Sequence, residues 1–291
     1  MKCIDFRIRP LVDGYRAMVA NKTTEKFLNA FRCSPPASVK EQSVELLLRE
    51  MDEAGVDLAV VPGRQSQMTN VSNEALVRLA ERYPERFSVF PLFNPLKARE
   101  SLQEIIRLTK EGPCLGVSIE PGFGNDLRFD AVQYQPLYEY MNEFHLPLLA
   151  TFSGSIAPVL DASLPGCFQA VAKQYPNMPM IAGHGGWPWF REMCCVAFFT
   201  PNVFLLPDLY SMHCPGEEDI RLAANYMLRE KMLFGSSYPL LPVKEAVRHV
   251  EGWELFADSR DLFLYKNAEN ILNTARKNKT SLQNALSCEI M

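Results

Sequence analysis

Eight short apolar runs, each rich in branched side chains and ended by turn residues, constrain the fold of this 291-residue chain more than any other feature. They lie near residues 3–9, 57–62, 87–93, 115–120, 147–152, 179–184, 203–208 and 232–236. From the second run onward the starts are 24 to 32 residues apart, a spacing typical of strand–helix units with crossovers of about a dozen residues or more. Because eight such units favour closure over an open sheet, we predict a single-domain α/β fold, a parallel (β/α)8 TIM barrel over residues 1–291.

The segments between the runs carry helix signals. Ser38 and Glu41 form an S-x-x-E capping box, which predicts the N-terminus of a helix. Gly55 lies where the C-terminal cap of that helix is expected. Residues 261–271 indicate a last amphipathic helix. Apolar residues with helical spacing support two of these helices: Val44, Leu47, Leu48 and Met51, and then Leu102, Ile105, Ile106 and Thr109.

Two segments do not fit the alternation of apolar runs and helical segments. Residues 11–37 form a long connection, with a Pro-Pro pair, between the first run and its helix. Connections longer than about 15 residues are often functional lids, but an insertion that simply covers the barrel mouth fits the sequence equally well. Residues 277–291 form a polar tail, which we expect to fray.

Charge and composition exclude several classes of protein. The chain has 47% hydrophobic and 22% charged residues and a formal net charge of -4 without a basic block, which argues against nucleic acid as a partner. No apolar run approaches the about 20 residues that span a bilayer, and charged residues at 5, 7 and 9 interrupt the place of a signal-peptide core. None of the eight cysteines forms a C-x-x-C pair, so we expect reduced thiols in a cytoplasmic protein without a membrane partner.

Polar residues at the ends of the runs are candidates for a site, because active sites of such barrels gather at the C-terminal ends of the strands. Asp5, Arg7 and Arg9 end the first run. They share one face if the strand alternates regularly, which leaves Phe6 and Ile8 facing the helices. Two inward guanidinium groups favour binding of a carboxylate or a phosphate.

The arginines have an alternative interpretation, in which they pair with the protein carboxylates Asp5, Glu120 or Asp208. Ser236 and Ser237 end the eighth run, but no adjacent base or Gly-x-Ser-x-Gly motif supports a nucleophile, and a helix-capping role is simpler. Further residues at or just after strand ends complete a polar, mixed-charge mouth suited to a small molecule. These are Arg64, Glu120, Thr151, Trp187, Asp208, Tyr210 and Ser237.

His184 is the strongest candidate for a catalytic residue. It ends the sixth run and precedes two glycines and a helix, a position suited to general acid–base catalysis. The alternative is a histidine hydrogen-bonded into the barrel rim. His145, His213 and His249 lie in predicted helices or loops, where a structural role is the simpler interpretation.

Several segments resemble the characteristic motifs of a known family, both in their order and in their amino-acid sequence. They are Glu53–Val61, Tyr83–Pro91, Leu137–Glu139, Leu146–Pro147, His184–Gly186, Phe234–Pro239 and Asn267–Ala268. Each is short, but together they cover nearly the whole chain and resemble the amidohydrolase-related family, in the branch that contains aminocarboxymuconate-semialdehyde decarboxylase. The resemblance implies a TIM barrel that hydrolyses or decarboxylates a small molecule.

The chain departs from that family where the family holds its metal. The family's first strand carries Asp-x-His-x-His, and Arg7 and Arg9 stand at the two histidine positions. Thr151 occupies the position of the family's histidine at strand five, and Ser237 occupies the position of its aspartate at strand eight. His184, at the strand-six position, retains the histidine that acts in catalysis in the family. A divalent metal needs about three or four protein ligands, and arginines would repel it. We therefore predict no metal and no other cofactor.

The resulting hypothesis is a metal-independent, amidohydrolase-like enzyme. It would hydrolyse a lactone or amide bond in a small carboxylated molecule, or decarboxylate it, with His184 as general acid or base and Arg7 and Arg9 binding the anion. A non-catalytic anion-binding relative of the same fold is the alternative. A metal held by a rearranged set of His184, Glu120 and Asp208 is a third interpretation.

Pairing of subunits into a homo-oligomer is left open by the sequence. The apolar segment Met193–Phe199 suits a contact between subunits, although a buried helix face is the simpler interpretation.

Overall fold

The strands form two parallel sheets. The computed structural model describes residues 2–66, 69–154 and 160–289. Its strands are β1 (Cys3–Asp5), β2 (Val56–Pro62), β3 (Phe87–Phe90), β4 (Val117–Ile119), β5 (Leu148–Thr151), β6 (Met180–Gly183) and β7 (Val203–Leu206). One sheet has the order β1-β2-β3 and the other β4-β5-β6-β7, with every neighbouring pair parallel. Sheet order follows chain order, as repeated strand–helix crossovers require.

The two sheets close on each other through isolated bridges and a few backbone hydrogen bonds. A parallel bridge joins Leu92 to Ser118 between β3 and β4. The eighth run forms no regular strand among the described residues. Its Leu233 N–H nevertheless donates to a β7 carbonyl at 2.9 Å, and its Phe234 carbonyl accepts from the Phe6 N–H at 2.8 Å. The run therefore occupies the place of the eighth strand between β7 and β1, and the predicted TIM barrel is confirmed.

Helices surround the strands. In the described residues they are α1 (Ala17–Ala20), α2 (Thr23–Ala30), α3 (Ala37–Lys40), α4 (Val44–Ala54), α5 (Asn73–Arg82), α6 (Ala98–Lys110), α7 (Gln135–Glu143), α8 (Pro165–Gln174), α9 (Phe190–Phe199), α10 (Glu217–Asn225), α11 (Val243–Glu251), α12 (Ala257–Asp261) and α13 (Asn267–Glu289). None of these helices combines the length and the apolar character needed to cross a bilayer.

The start of α4 differs from the prediction. Ser38 does not cap this helix but lies in α3, where its N–H and hydroxyl donate to the Glu50 carboxylate at 2.9 and 2.5 Å. Ser43 is the N-cap instead, and its hydroxyl accepts a backbone N–H of the first turn at 3.2 Å. The capping box at Ser38 and Glu41 is therefore wrong, because a distant carboxylate competes for the serine. Gly55 ends the helix in the left-handed region, with φ 72°, as predicted.

One apolar layer fills the inside of the barrel. The strands and the eighth run contribute Ile4, Phe6, Val60, Phe90, Leu115, Leu149, Ile181, Leu206 and Leu233, and α13 adds Ala268, Ile271, Leu272 and Ala275. Side chains from all around a closed sheet contact one another only on its inside. The prediction that Phe6 faces the helices is therefore wrong. Because β1 ends at Asp5 and the chain bends at Phe6, strict alternation stops there.

The two irregular segments are largely helical. The insertion 11–37 forms a turn at Asp13–Arg16 followed by α1 and α2, and Tyr15 is fully buried. The expected fraying of the tail is wrong up to Glu289, since α13 continues through it. Lys279 and Gln283 donate to backbone carbonyls at the C-terminal end of α6 and just beyond it, which fixes the tail to the barrel.

Helix α9 has the buried face expected for residues 193–199, but not over the whole segment. Its Met193, Val196 and Ala197 are buried against the barrel. Phe198 and Phe199 are 51% and 70% exposed, so the segment combines a buried face with an exposed aromatic pair.

Asn73 stabilises the seam between the two sheets. Its buried side chain donates through Nδ2 to the Leu92 carbonyl at 3.1 Å and accepts the Leu92 N–H through Oδ1 at 2.8 Å. Leu92 is the residue that bridges to Ser118. One side chain therefore satisfies both backbone groups of the residue that links β3 to β4.

We expect Asn73→Leu to lower the free energy of unfolding by about 2–4 kcal/mol, because two buried backbone groups lose their partners. Urea unfolding followed by circular dichroism measures this. The matched control is Asn29→Leu, at an exposed position of α2, which should change stability little. Equal midpoints for the two variants would show that the seam does not depend on Asn73.

Candidate functional site

The mouth, defined here as the C-terminal ends of the strands with the turns that follow, holds a buried Arg7. Its Nη2 donates to the Thr151 hydroxyl at 2.6 Å, and its Nε lies 3.5 Å from Asp208 Oδ2. Nε and Nη1 have no hydrogen-bond partner among the described residues. Burial lowers the pKa of Arg7, although Asp208 opposes this effect. A buried cation with unused donors suits an anion that is not part of the chain.

Gly183, the last residue of β6, makes room for Arg7. A Cβ atom at this position would lie 2.4 Å from Arg7 Nη1 and 2.8 Å from the Ala150 carbonyl oxygen. Neither the packed backbone nor the buried guanidinium can move away freely. Any larger residue at position 183 would therefore displace Arg7 from Thr151 and Asp208.

Arg9 and Arg64 flank the Glu120 carboxylate. Arg64 Nε donates to Glu120 Oε1 at 2.9 Å, and its guanidinium lies over the Phe123 ring at 4.5 Å. Arg9 Nη2 is 3.8 Å from the same oxygen, and neither Nε nor Nη2 of Arg9 has a hydrogen-bond partner in the described part of the chain. The Thr151 hydroxyl, 3.3 Å from Glu120 Oε1, joins this group to Arg7.

The network carries more positive than negative charge. Arg7, Arg9 and Arg64 face two partner carboxylates, Asp208 and Glu120. Burial, together with the neighbouring arginines, holds the pKa of Arg9 well below its usual range. The alternative that the arginines pair with protein carboxylates is therefore met only in part. The arginines lie near Glu120 and Asp208, but four of their nitrogens make no hydrogen bond to the described residues.

Asp5 does not pair with the arginine side chains. Its Oδ1 accepts the backbone N–H groups of Arg7 and Ser236, both at 3.0 Å. Burial raises its pKa to about 6 despite these bonds. The expectation that Asp5 balances a guanidinium is therefore wrong, because its carboxylate supports the backbone where β1 bends toward the eighth run.

His184 and Asp208 form a buried pair. His184 Nδ1 lies 2.7 Å from Asp208 Oδ1, and the His184 backbone N–H donates to Oδ2 at 3.0 Å. The Leu209 N–H also donates to Oδ1, at 2.6 Å. The carboxylate thereby fixes both the backbone and the ring of His184, which leaves Nε2 as the nitrogen able to exchange a proton with a ligand.

The protonation states of this pair follow from burial and charge. Burial lowers the pKa of His184 to about 4, with Arg7 and Arg9 adding to the shift and Asp208 opposing it. Burial alone would raise the pKa of Asp208, but His184, Arg7 and backbone donors hold it below its usual value. At neutral pH an uncharged imidazole therefore donates Nδ1–H to an ionised aspartate, and Nε2 is basic.

Three mouth residues adopt left-handed backbone conformations. The φ angles are 63° at His184, 43° at Asp208 and 58° at Ser237. Such conformations cost non-glycine residues about 1–2 kcal/mol each. They cluster at sites where the surrounding structure holds a side chain in a required position, and here they follow three different strands.

An aromatic pair and a serine complete the mouth. Trp187 stacks on Tyr210 with centroids 4.7 Å apart, and the Tyr210 ring meets His184 edge-on at 5.6 Å. Ser237 is fully buried and its hydroxyl has no hydrogen-bond partner among the described residues. The Ser236 hydroxyl accepts the Tyr238 N–H at 3.1 Å and so stabilises the turn after the eighth run. The helix-capping role expected for this serine is wrong, because the next helix begins at Val243 with Pro242 as its N-cap.

In the part of the chain that the structure describes, the mouth does not bring together ligand atoms from three histidine, cysteine or carboxylate side chains. Among the described residues, the group with ligand atoms within 4.8 Å of one another is His213, Glu217 and His249. The rearranged set of His184, Glu120 and Asp208 is not such a group. Its carboxylates are instead directed at arginines and at the histidine itself.

Tyr15 was not foreseen from the sequence. It lies on the insertion 11–37, is fully buried, and donates its hydroxyl to the Pro62 carbonyl. Burial raises the pKa of Tyr15, and the positive charge of Arg9 opposes this shift. The insertion therefore reaches the mouth beside Arg9, although no sequence signal distinguished this tyrosine from other aromatic residues.

Comparison with known proteins places the chain in a family. A sequence model described as amidohydrolase matches residues 16–274. The 2-keto-4-carboxy-3-hexenedioate hydratase of a Sphingobium species is 24% identical over 264 residues, which cover 71% of this chain and 75% of that protein.

Many solved structures share the fold, including the two that follow. An uncharacterized TIM-barrel protein from Bordetella bronchiseptica has a TM-score of 0.88 and 31% identity, with 95% of this chain and 100% of the other covered. 5-Carboxyvanillate decarboxylase from Sphingomonas paucimobilis has a TM-score of 0.68 and 15% identity, with 94% and 99% covered. Since the family model matches most of its length, this chain belongs to the amidohydrolase family and has the TIM barrel predicted from its sequence.

Proposed function

We propose that this protein is an enzyme that adds water to a small carboxylated molecule, without a divalent metal at the mouth. His184 is the general base, Asp208 its positioning partner, and Arg7 and Arg9 bind the substrate anion. The observation that carries this proposal is the position of four guanidinium nitrogens that make no hydrogen bond to the described residues, in the network that holds the buried histidine–aspartate pair.

An anion explains the arginines better than the protein's own carboxylates do. Arg7 and Arg9 are no more than 1% exposed, and burying charge without hydrogen bonds is costly. Guanidinium groups form charge-assisted, often bidentate bonds to carboxylates. A bound carboxylate would accept hydrogen bonds from these donors and would balance the excess positive charge of the network of Arg7, Arg9 and Arg64 with Asp208 and Glu120.

The histidine pair then supplies the base. The uncharged His184 Nε2 removes a proton from water as the water oxygen attacks the substrate, and Asp208 stabilises the imidazolium that forms. Arg7 and Arg9 stabilise the negative charge that develops on the substrate. In hydration of a double bond conjugated to a carboxylate, the C=C π bond breaks as the C–O bond forms, and the imidazolium returns its proton to the carbon next to the carboxylate. In hydrolysis of a lactone or amide, the imidazolium protonates the leaving oxygen or nitrogen as its bond to the carbonyl carbon breaks. The similarity to a hydratase supports hydration.

The rest of the mouth shapes the substrate site. The stacked Trp187 and Tyr210 offer an apolar wall next to His184. Glu120 Oε2 and the Ser237 hydroxyl are buried and make no hydrogen bonds to the described residues, so they suit a polar group elsewhere on the substrate. Arg64 and Thr151 hold Glu120 and Arg7 in place.

Metal independence is part of the proposal and rests on the donor set. The family's first-strand ligand positions are occupied by Arg7 and Arg9, which do not ligate metals and add positive charge. Asp208 and Glu120 face these arginines at 3.5 and 3.8 Å. These residues do not fit a divalent cation, and no step of the mechanism uses one.

Decarboxylation and simple binding are the alternatives. Decarboxylation requires a protonated His184 that delivers a proton to carbon, and the lowered pKa of His184 disfavours this form at neutral pH. A non-catalytic relative would bind the anion without turnover.

We expect kcat/KM to rise as pH increases through about 4 and to stay level toward neutral pH, because the base form of His184 exists above its pKa of about 4. Turnover of unsaturated dicarboxylates and carboxylated lactones, followed by proton NMR, provides the rates. His184→Asn should lower them by about 100-fold or more. Rates that fall as pH rises through this range indicate decarboxylation instead. Binding without any turnover indicates the non-catalytic alternative.

We expect Arg9→Met to weaken binding of fumarate by at least about tenfold without lowering the melting temperature. Each 1.4 kcal/mol of lost interaction is a tenfold change in affinity. Arg9 lies 3.8 Å from Glu120 Oε1, so an apolar residue removes a costly buried charge, while Glu120 keeps Arg64 at 2.9 Å. Calorimetric titration of fumarate, with the uncharged fumaramide for comparison, measures binding. Arg82→Met, at an exposed pair with Glu45, is the control. A lower melting temperature with unchanged fumarate binding would mean that Arg9 is structural.

A further inference from the structure

We propose that His213, Glu217 and His249 bind a zinc ion at a surface site separate from the mouth. One ligand atom of each residue lies within 4.8 Å of those of the other two. None of the three belongs to the network around Arg7 and His184, so this site does not depend on the proposed function.

The donor set suits zinc. Two imidazoles and one carboxylate, with water in the fourth position, form a common tetrahedral arrangement with bonds of about 2.0–2.2 Å. Tetrahedral donors are then roughly 3.3–3.5 Å apart. His249 Nε2 and Glu217 Oε1 are now 2.5 Å apart, and the two histidine rings are 4.6 Å apart, centroid to centroid. A shift of roughly 1 Å in these side chains admits the ion.

Glu217 is held by groups outside the donor set. The His213 backbone N–H donates to Glu217 Oε2 at 2.7 Å, and Trp253 Nε1 donates to Oε1 at 3.2 Å. Hydrogen bonds of this kind orient metal ligands and are a regular feature of metal sites. The carboxylate is therefore positioned before any ion arrives, which distinguishes it from an unrestrained surface glutamate.

The backbone brings the three ligands together from separate elements. Glu217 opens α10 after Gly216, whose φ is 95°, and His213 has a φ of 54°. His249 lies in the last turn of α11. His213 is exposed and the other two side chains are half-buried, so an ion reaches the site from solvent. An ion here would join the turn before α10 to α11.

That turn also belongs to the mouth. Residues 208–216 carry Asp208 and Tyr210 at one end and His213 at the other. The Pro215 carbonyl accepts a hydrogen bond from Trp187 Nε1 at 3.1 Å, and Trp187 stacks on Tyr210. Zinc at His213 would therefore order the segment that carries the mouth rim, which is a structural role and adds no step to the reaction.

Titration of the chelator-treated full chain with Zn²⁺ alone, by calorimetry and by melting temperature, tests the proposal. We expect one ion per chain and a melting temperature that rises with Zn²⁺ concentration. Co²⁺ in place of Zn²⁺ should give the visible absorption of a tetrahedral site. His249→Gln and Glu217→Gln should each weaken Zn²⁺ binding by at least about tenfold, since even loss of an outer hydrogen bond costs this much.

His145→Gln is the matched control, because His145 is exposed and remote from the three ligands in sequence. His184→Asn is the second control and tests the mouth. Unchanged binding in both controls, with loss in His249→Gln, supports the proposal. Absence of saturable binding to the wild-type chain overturns it, even if a variant fails to fold. Binding that survives His249→Gln, or that disappears only in His184→Asn, also overturns it.

Discussion

Burial of two guanidinium groups at one end of a closed barrel is the constraint on which the rest of the site depends. Arg7 fits there only because β6 ends in Gly183, whose missing Cβ leaves space for Nη1. Thr151 then accepts one of its hydrogen bonds, and Asp208 compensates part of its charge. Such an arrangement is expensive unless something compensates the charge, and this cost is the reason for proposing an anionic ligand at the mouth.

The same charges determine what His184 can do. Arg7 and Arg9 add to the effect of burial in lowering its pKa, while Asp208 holds Nδ1 and the backbone. The result is an uncharged, oriented imidazole at neutral pH. A carboxylate bound to the arginines would reduce their effect on His184, so binding of an anion there would raise the pKa of His184.

The turn after β7 links the chemistry to the surface. Its first residue, Asp208, supports His184, its Tyr210 forms the rim with Trp187, and its far end lies beside Glu217. A ligand that orders one end of this turn therefore acts on the other. Many barrels place functional residues on the loops after their strands, and here one such loop serves two groups of side chains.

The sequence by itself determined the barrel, because the spacing of apolar runs and helix signals is local, and it located the strand-end residues Arg7, Arg9 and His184. The family resemblance added the expectation that Arg7 and Arg9 stand where the family has metal-binding histidines. Only the tertiary structure decided that Asp5 bonds to backbone, that Phe6 lies inside the barrel, that Asp208 rather than Glu120 partners His184, and that Tyr15 reaches the mouth. These outcomes depend on distances between residues far apart in the chain and on a bend after β1, neither of which periodicity records.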